Sequence, residues 1–181
     1  YTFITLDEVL AKGWGSRALV VALESPASRP KGMSMQPDLS NLPEDTMIQI
    51  AVTEDDMSVG VCPGAFHQQM FSELPDERNQ LIEVHSDLYG FPRLVASHYL
   101  QTDPAYDRLA DWGVYRRFDA QADFLVAHGR NDTFTADWAF QYMTEEETLT
   151  EMGKWSDGTP VLPLSLYADA INTEARFSSC S

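Results

Sequence analysis

Six consecutive apolar residues, Ala18-Leu19-Val20-Val21-Ala22-Leu23, stand between polar neighbours. An unbroken run of this length is the pattern of a strand buried on both faces, not of one with a wet side. Residues 47–52 and 81–84, mostly apolar but interrupted by Gln49 and Glu83, also predict strands, with a helix-sized segment at about residues 64–72 between them. Strands separated in this way predict parallel βαβ units. Residues 6–10, with Asp7 and Glu8 in the first turn, predict a short helix that ends near Gly13 or Gly15. Residues 24–41 are rich in Pro, Ser and Met and predict a long excursion between strands.

Beyond Thr102 the period changes. Asp103-Pro104 predicts a helix start, with Asp as the cap and Pro at the first helical position. The helix is expected to run about 20 residues towards His128-Gly129, with Trp112, Tyr115, Ala122 and Val126 near one side. Asp107, Asp111, Asp119 and Asp123 mark a solvated stripe, and Thr144-Glu145-Glu146-Glu147 reads as a capping box opening a short helix. These patterns divide the chain into a core portion at 1–102, a helical extension packing on it at 103–165, and an irregular tail at 166–181.

Charge narrows the partners. The chain carries 28 acidic against 12 basic residues, a net charge of −16, and its lysines are Lys12, Lys31 and Lys154 alone. Nucleic acids and anionic membranes both need clustered Lys and Arg, so neither is expected as a partner. No apolar run approaches the ~20 residues that span a bilayer. The sequence opens on Tyr1 without a basic and then apolar leader pattern, so no signal peptide is expected in it and its natural start is expected upstream. An acidic, lysine-poor composition fits a secreted, marine or halophilic setting. Cys62 and Cys180 either form a disulfide closing a long loop or stand as a buried thiol and a tail thiol. No Cys/His spacing resembles a zinc site, no Asp-x-Asp-x-Asp-Gly calcium loop occurs, and no cofactor is expected. Asn131-Asp132-Thr133 is a glycosylation sequon, relevant only in a eukaryotic secretory setting.

Four segments carry a resemblance. Residues 48–60, Ile-Gln-Ile-Ala-Val-Thr-Glu-Asp-Asp-Met-Ser-Val-Gly, resemble the strand-plus-acid segment of bacterial α/β-hydrolases. Residues 86–98 resemble that family's motif Ser-Asp-x-His-Gly-x-Pro-x-Leu-Val-Ala-Asp-His. Trp112-Gly113-Val114-Tyr115-Arg116-Arg117-Phe118-Asp119 and the segment 152–161 are similar to two further markers of the group. The resemblance covers roughly residues 17–162. It implies the C-terminal part of a doubly wound, mostly parallel α/β-hydrolase sheet, contributing about three strands, followed by a helical C-terminal extension.

That family hydrolyses esters with a serine, whose hydroxyl needs an imidazole to take its proton, and the imidazole needs a carboxylate to hold its tautomer. The resemblance places Asp56 at the acid position, with Asp55 as the neighbour able to replace it; the other reading of Glu54-Asp55-Asp56 is a polar turn. Tyr89 occupies the histidine position. A tyrosine, with an ordinary pKa of about 10, cannot cycle as a base at neutral pH as imidazole does. His85, at a strand end, and His98, matching the motif's second histidine, are the candidate replacements; the alternative for each is a structural histidine. His67 on a helix flank and His128 near a helix end read as structural. No Gly-x-Ser-x-Gly elbow occurs. Ser34, in Gly32-Met33-Ser34-Met35-Gln36, lacks the second glycine, and Ser16 precedes a strand where an elbow follows one. The nucleophile is therefore expected upstream of Tyr1.

Two functions follow. The chain is the C-terminal part of an ester hydrolase, completed by an N-terminal portion that carries the serine. Alternatively, with its histidine replaced, it is an inactive hydrolase-like protein serving as a binding or structural subunit in an assembly. Under either reading the edge at residues 18–23 is expected to be covered by further polypeptide, since an open apolar edge invites pairing and aggregation.

Overall fold

The computed structural model describes residues 2–14, 17–27, 39–102 and 107–180. Helix α1 (Thr2–Ala11) precedes strand β1 (Leu19–Glu24), and β2 (Thr46–Thr53), α2 (Cys62–Met70) and β3 (Asn79–Val84) follow. A helical run comes next: α3 (Arg108–Ala110), a π-helical turn (Asp111–Tyr115) and α4 (Arg116–Arg130) continue into one another. The elements α5 (Thr133–Thr144), α6 (Glu146–Thr150), β4 (Ser165–Tyr167) and α7 (Ala170–Thr173) complete the chain, with a 3-10 turn at Ala175–Cys180.

The strands form one sheet in the order β1-β2-β3-β4. The first three are parallel, with Leu23 beside Ile50 and Ile50 beside Leu81, and β4 lies antiparallel on β3. The sheet is therefore mixed and has four strands, not the three mostly parallel ones expected. Its fourth strand is supplied by the chain returning from the helical extension, and Tyr167 fixes it by donating from its hydroxyl to the buried Glu83 carboxylate at 3.0 Å.

Every residue of β2 is buried, as a strand covered on both faces must be. One face sends Ile48, Ile50 and Val52 against α1, α2, Phe71 and Phe177. Helix α2 lies so close that a Cβ on Gly64 would come within 2.3 Å of Val52 Cγ1, which explains a glycine inside a helix. The other face sends Met47 against Ala120, Phe124, Ala139 and Met143 of the α4–α5 pair. Gln49 on that face is satisfied inside the core: it donates to Gln80 Oε1 at 2.8 Å and accepts from Gln121 Nε2 at 2.7 Å. The result is three layers with the sheet in the middle.

Three expectations give way. The buried side of α4 carries Arg117, Ala120, Gln121, Phe124 and Ala127, whereas Tyr115 and Val126 face solvent. Arg117 and Gln121 read as polar in sequence but are paired in the structure, and the π-helical turn rotates the residues before it relative to those after it. The helix start expected at Asp103-Pro104 lies outside the described residues; Asp107 caps α3 by accepting from the Ala110 N–H. The Thr144 capping box does not form, because Thr144 ends α5 and its hydroxyl donates to the Phe140 carbonyl at 2.8 Å. The tail is not irregular surface chain: Phe177 and Cys180 join the core, and Cys180 is disulfide-bonded to Cys62 across a separation of 118 residues. No helix among the described residues is long and apolar enough to cross a membrane.

Candidate active site

The carboxyl ends of β2 and β3 carry two loops that are bonded to each other. After Thr53 the chain turns sharply, with the Asp56 N–H donating to the Thr53 carbonyl at 3.2 Å. Asp56 then turns its own carboxylate back on the chain. Oδ1 accepts from the N–H of Ser58 at 2.8 Å and of Val59 at 2.9 Å. Oδ2 meets Nδ1 of His98 at 2.8 Å. The Asp56 side chain is 1% exposed and that of His98 is 26% exposed. Burial pushes the Asp56 carboxyl up, but the Val59 N–H, His98 and the Ser58 N–H outweigh it and hold the group below the usual carboxylate range. An ionised carboxylate only accepts, so Nδ1 of His98 is the donor, and in the neutral form of the ring the lone pair belongs to Nε2. Among the described residues no hydrogen bond reaches Nε2.

His98 reaches Asp56 because its loop folds back on itself. Asp87 and Leu94 pair as two antiparallel residues, N–H to carbonyl in both directions at 2.8 and 3.0 Å. The loop is also tied to the acid turn. Glu54 N donates to Val84 O at 2.9 Å and Asp55 N to Ala96 O at 3.0 Å. The Ser86 hydroxyl donates to the Asp55 carboxylate and accepts from the Ala96 N–H. Asp55 is thus engaged in holding the loop, while its neighbour faces the imidazole.

The structure brings Asp56 and His98 together and holds the other two candidates elsewhere. His85 bonds through Nε2 to Ser165 Oγ at 2.8 Å, and its Nδ1 lies 3.5 Å from Glu54. Tyr89 is exposed, donates to Asp157 Oδ2 at 2.8 Å and accepts from Thr159 Oγ1 at 3.3 Å. His67 is buried in α2 against the Pro63 carbonyl, and His128 sits at the end of α4 beside Asp45 and Phe124. Ser16 and Ser34 lie outside the described residues.

Two residues at this end of the sheet escape the sequence reading. Ser25 follows β1 with φ +43°, is buried, and its Oγ lies 3.5 Å from Thr53 Oγ1. A positive φ after a strand is also the mark of a nucleophile elbow, yet Pro26 follows it. An elbow takes one oxyanion donor from the N–H after the nucleophile, and proline has none. The second residue is Asp87, 3% exposed and surrounded by N–H donors. Its sequence signal is only its place in the quoted motif.

Among the described residues no group of three or more His, Cys, Asp or Glu is gathered as metal ligands would be. An open cavity of about 690 Å³, lined by Arg17, Asp45, Arg78, Phe124, His128 and Phe140 among others, lies at the opposite, amino ends of the strands. Comparison of the chain with protein-family models, with curated proteins and with solved structures finds no match.

Proposed function

We propose that Asp56 and His98 are the acid and base of a serine-hydrolase triad, completed by an N-terminal portion that carries the nucleophile, and that the reaction is hydrolysis of a carboxylic ester with a mainly apolar acyl or alcohol group. The reading draws on the resemblance of residues 48–60 and 86–98 to bacterial α/β-hydrolases. One observation carries it: a buried, doubly N–H-bonded carboxylate fixes Nδ1 of a partly exposed imidazole at 2.8 Å.

The chemistry follows from that geometry. Nε2 of His98 takes the serine proton as Oγ attacks the ester carbonyl. The resulting imidazolium is stabilised by ionised Asp56, which keeps its own proton-free state. The proton then passes from Nε2 to the departing alkoxide, and a water molecule repeats the sequence to release the acid. The completing polypeptide pairs along the outer edge of β1. Supporting this, an apolar groove of about 390 Å³ runs there between Thr5, Leu6 and Val9 of α1 and residues 19–22. The alternative, an inactive hydrolase-like binding or structural subunit in an assembly, draws on Tyr89 at the histidine position; the bond from His98 to Asp56 supports the hydrolase reading instead.

The test is turnover of a short-chain p-nitrophenyl ester by the protein with its upstream polypeptide. Asp56→Asn is expected to lower kcat by about 10⁴-fold, with a loss of similar order for His98→Gln. His85→Gln and Tyr89→Phe are expected to leave kcat close to the parent value. Absence of both turnover and labelling by a fluorophosphonate would return the chain to a binding role. A loss with His85→Gln in place of His98→Gln would reassign the base.

A further inference from the structure

We propose that Asp87 is a positioning residue for His98: its buried carboxylate gathers N–H donors from its own loop and from the 155–162 segment, and so holds the loop that presents the imidazole to Asp56. The proposal rests on the reading of Asp56 and His98 as acid and base.

Oδ1 of Asp87 accepts from the Tyr89 N–H at 2.9 Å. Oδ2 accepts from Trp155 Nε1 at 3.0 Å and from the Leu162 N–H at 3.0 Å. Three donors converge on two oxygens, so the position requires a group that only accepts; asparagine would present an amide N–H to one side of the cluster. Burial pushes the Asp87 carboxyl up, and the bonds from Tyr89, Trp155 and Leu162 together bring it below its ordinary value.

The anchor is itself rigid. Trp155 N donates to Thr159 O at 2.7 Å, and Lys154 pairs with Pro160. Gly90 lies flat on the indole, where a Cβ would come within 2.3 Å of ring carbons. From Asp87 the constraint passes through the Leu94 pairing to Ala96, which is bonded to Ser86 and Asp55, and His98 follows two residues later. Asp87 thus fixes one end of the loop against the helical extension while Asp55 fixes the other against the acid turn. Neither carboxylate oxygen of Asp87 is engaged with His98, so its effect is on where the imidazole stands.

The experiment is proton NMR of the protein labelled with ¹⁵N-histidine, reading the far-downfield N–H proton of His98 Nδ1 in its bond to Asp56. Asp87→Asn is expected to abolish this resonance, as Asp56→Asn does, whereas Asp157→Asn at the exposed loop tip leaves it in place. Leu81→Ala supplies the control for lost stability alone; with a comparable fall in Tm it keeps the resonance. If Asp87→Asn does not fold, Trp155→Phe decides, because it removes one donor and keeps a ring beneath Gly90; a weakened resonance supports the proposal. An unchanged resonance in whichever of the two variants folds would overturn it. A downfield proton unaffected by Asp56→Asn would overturn the dyad as well. Loss of esterase activity from the proposed function leaves this readout untouched, so the two failures are distinguishable.

Discussion

At the amino ends of β1, β2 and β3 stand Arg17, Asp45 and Arg78; at their carboxyl ends stand Glu24, Asp56 and the loop leading to His98. The first group surrounds an open cavity of about 690 Å³. Its charges are wet: the Arg78 and Asp45 side chains are 21% and 37% exposed. The second group is drier at its acids, with the Glu24 side chain 15% exposed, although His98 at 26% still reaches solvent. Asp56 and Arg117 are 1% exposed, and each has its hydrogen bonds directed by neighbouring loops or helices. Volume alone would point to the amino end. A desolvated charge whose partners are fixed by backbone N–H groups is the better guide to chemistry, because it costs free energy to build and holds one geometry once built.

On that contrast, the largest effect comes from breaking a buried charge at the carboxyl end. Arg117 donates from Nε to Gly113 O at 2.7 Å and from Nη2 to both Glu24 oxygens at 2.9 Å. Arg117→Met strands Glu24 and is expected to lower the unfolding free energy by about 3 kcal/mol, read by urea denaturation. Adding Glu24→Leu is expected to restore much of that loss, since removing both charges leaves neither charge unpaired. A double variant no better than the single one would show that packing, not charge, is what Arg117 contributes.

Glycines sharpen the comparison further. Gly90→Ala forces a methyl into the Trp155 ring and is expected to cost about 1–3 kcal/mol. Gly129→Ala, near the amino-end cavity, meets nothing within 4 Å and lies inside α4, so a gain of about 0.5–1 kcal/mol is expected from helix propensity. Equal changes in Tm for the two would erase the distinction between a packed and an open end.

How much of this was legible depends on where each signal lies. The three parallel strands stood out because short, mostly apolar runs have one comfortable fate: the unbroken run 18–23, and the runs 47–52 and 81–84 interrupted by Gln49 and Glu83, became Leu19–Glu24, Thr46–Thr53 and Asn79–Val84. The strand β4 was silent, being three half-buried residues whose pairing comes from elsewhere. The face of α4 was misread because Arg117 and Gln121 count as polar until their partners are known. Asp56 and His98 were both candidates by resemblance, but their pairing was not legible. It depends on the Asp87–Leu94 closure and on the bond from Ser86 to Asp55, which no local pattern encodes. The Asp87 carboxylate draws its partners, the Trp155 indole N–H and the Leu162 backbone N–H, from 68 and 75 residues away.

A smaller effect attaches to pH. The folded pKa of Asp56 lies below its ordinary value of about 3.8, so the contribution of its ionised form is complete above that value. It is lost as pH falls through the lowered folded pKa. Asp56→Asn replaces charge-assisted bonds with neutral ones and is expected to cost about 1 kcal/mol at neutral pH. The parent and variant stabilities should then converge as acid protonates the parent carboxyl. A gap that widened on acidification would mean the sign of the shift is wrong.

The smallest change is expected at the amino end, and it is the one most able to break the comparison. Arg78 Nη2 donates to Asp45 Oδ1 at 3.1 Å, and its guanidinium lies 4.9 Å over the Phe140 ring. Partly exposed pairs of this kind contribute about 0–1 kcal/mol and are screened by salt. Arg78 Nη1 and Arg117 Nη1 are both buried with no hydrogen-bond partner, so either substitution relieves one unmet donor, but Arg78→Met breaks one bond and Arg117→Met breaks three. Met retains much of the stem that covers Phe140. Arg78→Met should therefore shift the urea midpoint little, and less still at high ionic strength, whereas Arg117→Met should be nearly salt-independent. A loss above about 2 kcal/mol for Arg78→Met, indifferent to salt, would place a desolvated charge at both ends of the sheet. Burial of charge would then cease to distinguish the Asp56–His98 end, and the case for chemistry there would stand on the imidazole geometry alone.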